Sequence, residues 1–390
     1  MRFDNQLRIA ASIIEEYAFE MPLSRFLANF FRKNKQMGSK DRKMASDLVY
    51  SYFRLGQSLA NRSIDERILV AQFLCKSSFT PLLDQLQPVF NQKIELSLNE
   101  KFEYLKELYP EFNANLIFPF QDKLSERINK EEFCLSHLNQ PRLFIRVREG
   151  KSEMVKSKLQ ELEISFEPLS ETCLSFKNTT KLDHLFEGVI PRPFEIQDYS
   201  SQHTAVYFKP LNGENWWDCC AASGGKSLML HEQEPGVKLL VSDIRESILA
   251  NLDERFTAAG IRGYHKKELD LTKNLDPYLL NREFDGIILD APCSGSGTWG
   301  RTPEMISTFD PNKIEWFSSL QKRIATNVVK WLKPGKPLIY ITCSAFQKEN
   351  EEVMNFICTE LGFECERFEV LKGYENAADT MFVARLIKKK

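Results

Sequence analysis

The stretch Phe284-Asp285-Gly286-Ile287-Ile288-Leu289-Asp290-Ala291-Pro292-Cys293-Ser294-Gly295 reads as a buried strand that ends on a carboxylate. Gly286 to Asp290 supply the apolar run, and a proline followed by a Ser/Gly run turns the chain out of the sheet directly afterwards. Ligands of open α/β sheets bind beyond the carboxyl ends of the strands, so Asp290 and Cys293 are expected over a pocket. A second run, Pro337-Leu338-Ile339-Tyr340-Ile341-Thr342, ends the same way on Cys343-Ser344. Two cysteines at neighbouring strand ends, one of them beside a carboxylate, point to thiolate chemistry on a ligand.

Outward from this stretch, strands and helices alternate from Phe194 onward, the pattern of a doubly wound, mostly parallel sheet. Ile196–Gln202 leads into a helix at His203–Phe208. Trp216-Trp217-Asp218-Cys219 reads as a strand, and Cys220-Ala221-Ala222-Ser223-Gly224-Gly225-Lys226-Ser227 as a small-residue turn that opens a helix. Lys238–Asp243 is the next strand, and Asp270 follows a third, shorter one. Gly225-Lys226-Ser227 matches the tail of a phosphate-binding loop, but that motif needs glycine where Cys220 stands. The G-x-G-x-x-G of dinucleotide sites is also absent. A strand-end turn followed by Asp243 at the distance of a ribose-binding acid fits a smaller cofactor with one adenosine, such as S-adenosyl-L-methionine. Taken singly, Asp243 and Asp270 read as turn or helix caps and Cys343 as a buried inert thiol. Only the joint pattern points to a site.

Upstream, residues 1–135 carry helical periodicity, with Ser24 and Ser39 as candidate helix caps and breaks at Pro88 and Pro110. Between Ser24 and Arg54 stand eight basic residues (Arg25, Arg32, Lys33, Lys35, Lys40, Arg42, Lys43, Arg54) against Asp41 and Asp47. This local excess fits either a solvated face or an RNA contact. Residues 136–193 read as a small α/β module, opened by a strand that places Arg142, Arg146 and Arg148 on one side. A phosphate-contacting face is the favoured reading over a solvated edge.

With 390 residues, 43% hydrophobic and 27% charged, the chain has an ordinary globular composition and room for two or three domains. A net charge of −2 gives no support to nucleic-acid binding by itself. No apolar run approaches the roughly 20 residues of a transmembrane helix, and Met1–Gln6 opens no signal-peptide pattern, so no membrane partner is expected. Nine cysteines without framework spacing fit a reducing, cytoplasmic setting, and five scattered histidines without C-x-x-C give no metal site.

The motifs Asp290-Ala-Pro-Cys-Ser-Gly-Ser-Gly-Thr298, Arg301-x-Pro-Glu304, Thr342-Cys-Ser344 and Glu349-Asn-Glu351 resemble the Fmu/Sun (RsmB-like) family of RNA (cytosine-5-)-methyltransferases. The helical N-terminal layout is similar to the branch that acts on 16S ribosomal RNA. The resemblance implies a NusB-like RNA-binding domain over 1–135, a small RNA-binding module over 136–193 and a Rossmann-like, class I methyltransferase domain over 194–390. It implies S-adenosyl-L-methionine bound by Cys220, Ala221, Ala222, Ser223, Gly224, Gly225 and Lys226, with Asp243 at the ribose, Asp270 near the adenine and Asp290 near both cofactor and cytosine. Cys343 would be the nucleophile that forms an adduct at cytosine carbon 6, and Cys293 would assist release of the product. Ribosomal RNA is the expected partner, transfer RNA an alternative, and a monomer the expected state. Two departures stand out: Ser223 replaces the family's proline in the turn, and Asp379-Thr380-Met381-Phe382 replaces Asp-Gly-Phe-Phe. A non-catalytic RNA-binding assembly factor and a DNA cytosine methyltransferase are the competing readings. The first would be favoured by loss of Cys293, Cys343 or Asp290, and the second lacks a Thr-Cys partner.

Overall fold

Two sheets form where the sequence alternates, and one helical unit where it repeats at helical spacing. The structure, a computed structural model, describes residues 2–390. It separates into two compact units. One holds residues to Asp122 with Asn129–Gln140 and Trp299–Asp310. The other holds Lys123–Ile128, Pro141–Thr298 and Pro311–Lys390. The segments read as 136–193 and 194–390 thus fall largely in one unit. The Arg301-x-Pro-Glu304 motif falls in the other.

The sheet unit begins with β1 (Leu143–Val147), β2 (Glu167–Pro168), β3 (Cys173–Phe176) and β4 (Phe194–Ile196), an antiparallel sheet in the order β2-β3-β1-β4. Ile145, Val147, Val155, Leu159, Leu174, Phe176 and Phe194 make its small core. The second sheet contains β5 (Asn215–Asp218), β6 (Lys238–Asp243), β7 (Tyr264–Glu268), β8 (Gly286–Asp290), β9 (Pro337–Thr342), β10 (Phe363–Lys372) and β11 (Thr380–Lys388). Its order is β10-β11-β9-β8-β5-β6-β7. The five strands β9, β8, β5, β6 and β7 run parallel, and β11 and β10 close one edge antiparallel.

From β5 the chain builds β6 and β7 outward on one side, then returns to place β8 on the other. The crevice between β5 and β8 is therefore the topological switch point, where ligands of such sheets bind. Continuous apolar runs in β8 and β9 follow from burial on both faces; Ile287, Ile288, Leu289 and Leu338 to Ile341 are fully buried. Gly286 is required by close packing, since a Cβ there would stand 2.5 Å from the Trp216 ring.

The helical unit buries Leu7, Ala10, Ile13, Leu23, Leu27, Leu48, Val49 and Phe53. Ser63/Glu66 and Ser97/Glu100 form capping boxes on the helices Ile64–Cys75 and Leu98–Leu108. Ser24 does not cap. The helix Leu23–Lys33 begins one residue earlier, behind Pro22, and the Leu23 N–H donates instead to the Glu304 carboxylate at 3.1 Å. Ser39 is the first helical residue, preceded by Gly38, and makes no cap bond. The helix Pro81–Leu86 ends just before Pro88, as expected, and Pro88 also starts a short helix, Pro88–Gln92, where its missing N–H costs nothing.

Two basic features also differ from expectation. Arg54 is 2% exposed and donates to the His137 carbonyl and Gln140, so it is a structural strut of the helical unit. Arg146 and Arg148 both pair with Glu232, and Arg148 and Arg255 pair with Glu195 at 2.8 Å. Of the three arginines read as a phosphate-contacting face, Arg146 and Arg148 are paired with acids from β4 and from the helix Gly225–Gln233, while Arg142 stays partly exposed beside Glu167 of β2.

Candidate active site

Each residue of the site stands where a parallel strand stops. β8 ends on Asp290, and the Ala291 N–H reaches the Ile341 carbonyl of β9 at 2.8 Å, which holds the two exits side by side. Beyond them the Cys293 and Cys343 sulfurs lie 3.3 Å apart, both partly exposed. The pair is electrostatically asymmetric. Either sulfur can donate in this contact; with the proton on Cys293 it lowers the Cys343 thiol below the ordinary value, helped by nearby Lys226 and opposed by burial, Asp290 and Glu349. That same bond, with burial, pushes the Cys293 thiol well above the ordinary value.

Asp290 pairs with Lys226 Nζ at 3.0 Å, and Lys226 also donates to Ser201 Oγ at 2.9 Å. Lys226 is on the first turn of the helix Gly225–Gln233, so the β5 turn and the β8 exit are tied by charge. The turn itself needs unusual backbone. Gly224 lies at φ +82°, and a Cβ there would stand 2.5 Å from Phe256; Ala222 takes φ +47° without being glycine. The Ala222 N–H donates to Asp243 at 3.1 Å, and Arg245 closes on the same carboxylate at 3.0 Å. Ser223 has a use for its hydroxyl, which accepts from Arg255 at 3.2 Å. Asp270 accepts from the N–H and hydroxyl of Thr272 at 3.0 and 2.6 Å, bonds that hold its carboxyl below the usual range. It is engaged at the end of β7 rather than by the other site residues.

Asp218, which closes β5, reads in the sequence only as part of a strand. It is fully buried, accepts from Ser227 Oγ at 2.6 Å and leaves its other oxygen unpartnered. Burial, with Asp290 and Asp243 nearby, pushes its carboxyl up to about 7. A signal for it exists: an acid closing an apolar strand, the same rule that singles out Asp290. Glu349, which the sequence offers only within a motif, is also buried at the site.

Acids at the ends of β6, β7 and β8 around a small-residue turn suit a ligand with ribose hydroxyls and positive charge. They do not suit one with phosphates, because the lysine of the turn is already paired with Asp290. The residues present thus fit S-adenosyl-L-methionine. Among the described residues, no group of three or more His, Cys, Asp or Glu side chains could hold a metal, and no helix is long and apolar enough to cross a membrane.

A sheet of this order, with its site at the β5/β8 switch point, defines a Rossmann-like methyltransferase domain. Residues 205–386 match the family model described as 16S rRNA methyltransferase RsmB/F. The chain is 30% identical to ribosomal RNA small subunit methyltransferase B of Shewanella oneidensis, across 69% of this chain and 59% of that protein. It is 27% identical to the protein of the same name from Pasteurella multocida, across 84% of this chain and 76% of that one. The solved protein PH0851 superposes over 98% of both chains with TM-score 0.72 and 20% identity. NSun6 from Pyrococcus horikoshii with SFG covers 74% of this chain and 97% of its own, with TM-score 0.57 and 17% identity. The helical N-terminal region fits a NusB-like domain.

Proposed function

We propose that the chain methylates carbon 5 of a cytosine in small-subunit ribosomal RNA, using S-adenosyl-L-methionine and a transient Cys343–cytosine bond. The single observation that carries the chemistry is the contact of the two thiols, 3.3 Å apart at the ends of neighbouring strands, with the Asp290–Lys226 pair on one of those ends. The rRNA assignment is supported by the family description and by the names of the similar proteins. The cofactor assignment is supported by the turn and its acids, and by a similarly folded protein solved with SFG, an analogue of the cofactor.

The residues of the turn, 220–226, with Asp243, Asp270 and Asp290, would hold the cofactor, which when bound supplies an electrophilic methyl group on a sulfonium. The chain's own part begins at Cys343. Its thiolate adds to carbon 6 of the flipped-out base, and the electron pair released into the ring makes carbon 5 nucleophilic. Asp290 accepts from the amino edge of the cytosine and keeps the ring in place over the thiol, with Lys226 balancing its charge. After carbon 5 has been methylated, its proton leaves as a base removes it. The carbon 6–sulfur bond then breaks, and the pyrimidine is restored. Cys293, held protonated in contact with Cys343, assists that release.

Incubating the chain with labelled cofactor and 16S rRNA, transfer RNA or DNA, then digesting to nucleosides, tests the reading. Labelled 5-methylcytidine from 16S rRNA is the expected product. Label in DNA alone, or cofactor binding without transfer to any nucleic acid, would overturn it.

A further inference from the structure

Glu349 is fully buried, yet both of its carboxylate oxygens are completely used. One accepts from Ser294 Oγ at 2.5 Å and Ser344 Oγ at 2.7 Å. The other accepts from the Ser294 N–H at 2.9 Å and Gln321 Nε2 at 3.0 Å. Ser294 directly follows Cys293, and Ser344 directly follows Cys343. Gln321 also donates to the Pro292 carbonyl at 3.0 Å, on the other side of Cys293. Tyr340 of β9 holds the Glu349 backbone carbonyl at 2.5 Å. Four donors converge on its two oxygens and favour the carboxylate, while burial raises its proton affinity.

We infer that Glu349 is a positioning residue for the reaction: its carboxylate locks the turns after β8 and β9 together so that the two thiols meet. The inference rests on the reading of Cys343 as nucleophile. This carboxylate joins both cysteine turns, and without it the Ser294 N–H would lose its acceptor and the two serine hydroxyls and Gln321 would keep only their weaker neutral partners. A buried negative charge here also acts on the thiols. Cys343 faces Cys293, Asp290, Lys226 and Glu349, and of these Asp290 and Glu349 oppose its ionisation while Lys226 and the Cys293 donor favour it. Cys293 faces Cys343 and Glu349, and Tyr340 faces Glu349 and Cys293. Glu349 therefore holds the thiols in contact at the expense of some thiolate.

Glu349→Gln sets these two effects against each other. Displacing a reacting group by a fraction of an ångström to one ångström costs up to about a hundredfold in rate, so kcat should fall by about ten- to a hundredfold. Cofactor Kd and the KM for RNA should stay within about twofold, because Glu349 touches neither. The acid limb of the kcat profile should move to higher pH, because separating the thiols removes the Cys293 contact, the largest influence on Cys343, and this outweighs the loss of the Glu349 charge. Ser344→Ala removes one tie and keeps the charge. It should lower kcat by about tenfold and move the acid limb in the same direction, and it decides the matter if Glu349→Gln does not fold. Turnover within twofold of wild type in Ser344→Ala, or an unmoved acid limb in a folded Glu349→Gln, would overturn the inference. Wild-type methyl transfer and its loss in Cys343→Ala are measured alongside. Their failure would sink the nucleophile reading rather than the clamp.

Discussion

The strand ends at Asp290 and Thr342 and the strand Leu143–Val147 carry comparable sequence signals, chemistry-bearing residues set against an apolar run, yet they end in opposite states. At the strand ends the two thiols remain partly exposed: Cys293 and Cys343 lie against each other, and Cys343 also packs against the core of the large sheet. On the arginine strand Arg146 and Arg148 are consumed. Glu232 takes Arg146 and Arg148, and Glu195 takes Arg148 and Arg255, with the Arg148 side chain only 10% exposed. Alternation of charge with apolar residues reports that one face is not core. It does not report whether that face meets solvent, RNA or an acid delivered from elsewhere in the chain.

The largest expected effect is on the available side of this comparison. Cys343→Ala should lower methyl transfer by at least about a thousandfold, as loss of a covalent nucleophile does, with cofactor affinity by calorimetry within twofold. Turnover within tenfold of wild type would sink the assignment of Cys343. Cys293→Ala should let the adduct form and stall its release, giving a protein–RNA band stable on a denaturing gel. The band should be absent from the double variant. Removing the Cys293 donor also raises the Cys343 thiol toward its ordinary value, so the acid limb of single-turnover adduct formation should move to higher pH. A band that appears with Cys343→Ala instead would exchange the roles of the two cysteines.

On the consumed side, Glu232→Gln should act on stability rather than on RNA. It removes the acid that Arg146 and Arg148 share, in sites only 12% and 10% exposed, though Arg146 keeps Gln197 and Arg148 keeps Glu195, and such a loss costs about 1–3 kcal/mol. A lower Tm with an unchanged salt dependence of RNA binding is the expected pair of results. A change in salt dependence instead would return this strand to the RNA interface. The smallest effect belongs to the basic segment, where Lys33, Lys35, Lys40 and Lys43 are exposed. Replacing any of them that meets a phosphate by Gln should flatten the slope of log K against log salt by roughly 0.7–0.9. A slope indifferent to all four would leave that segment as a solvated face.

Much of the sheet is legible in the sequence because burial writes a local period. β3, β6, β8 and β9 occupy the residues at which their apolar runs begin and end, and the carboxylate at the end of β8 marks where the sheet opens. Asp290, Cys293 and Cys343 are readable for the same reason: each follows an apolar run that can only stop there. Helix starts are less legible, since Leu23 is capped by Glu304, far along the chain. The fate of the charges is not legible at all. The two thiols meet across 50 residues of sequence, Glu349 reaches Ser294 across 55, and Glu232 reaches Arg146 across 86. Local pattern determines which residues must be buried and where strands must end, because those depend on neighbours within a few positions. Which buried charge meets which partner depends on how strands from distant segments are ordered in the sheet. The low-dielectric interior then makes that pairing decide whether a polar group is locked into the frame or left partly exposed at a strand end.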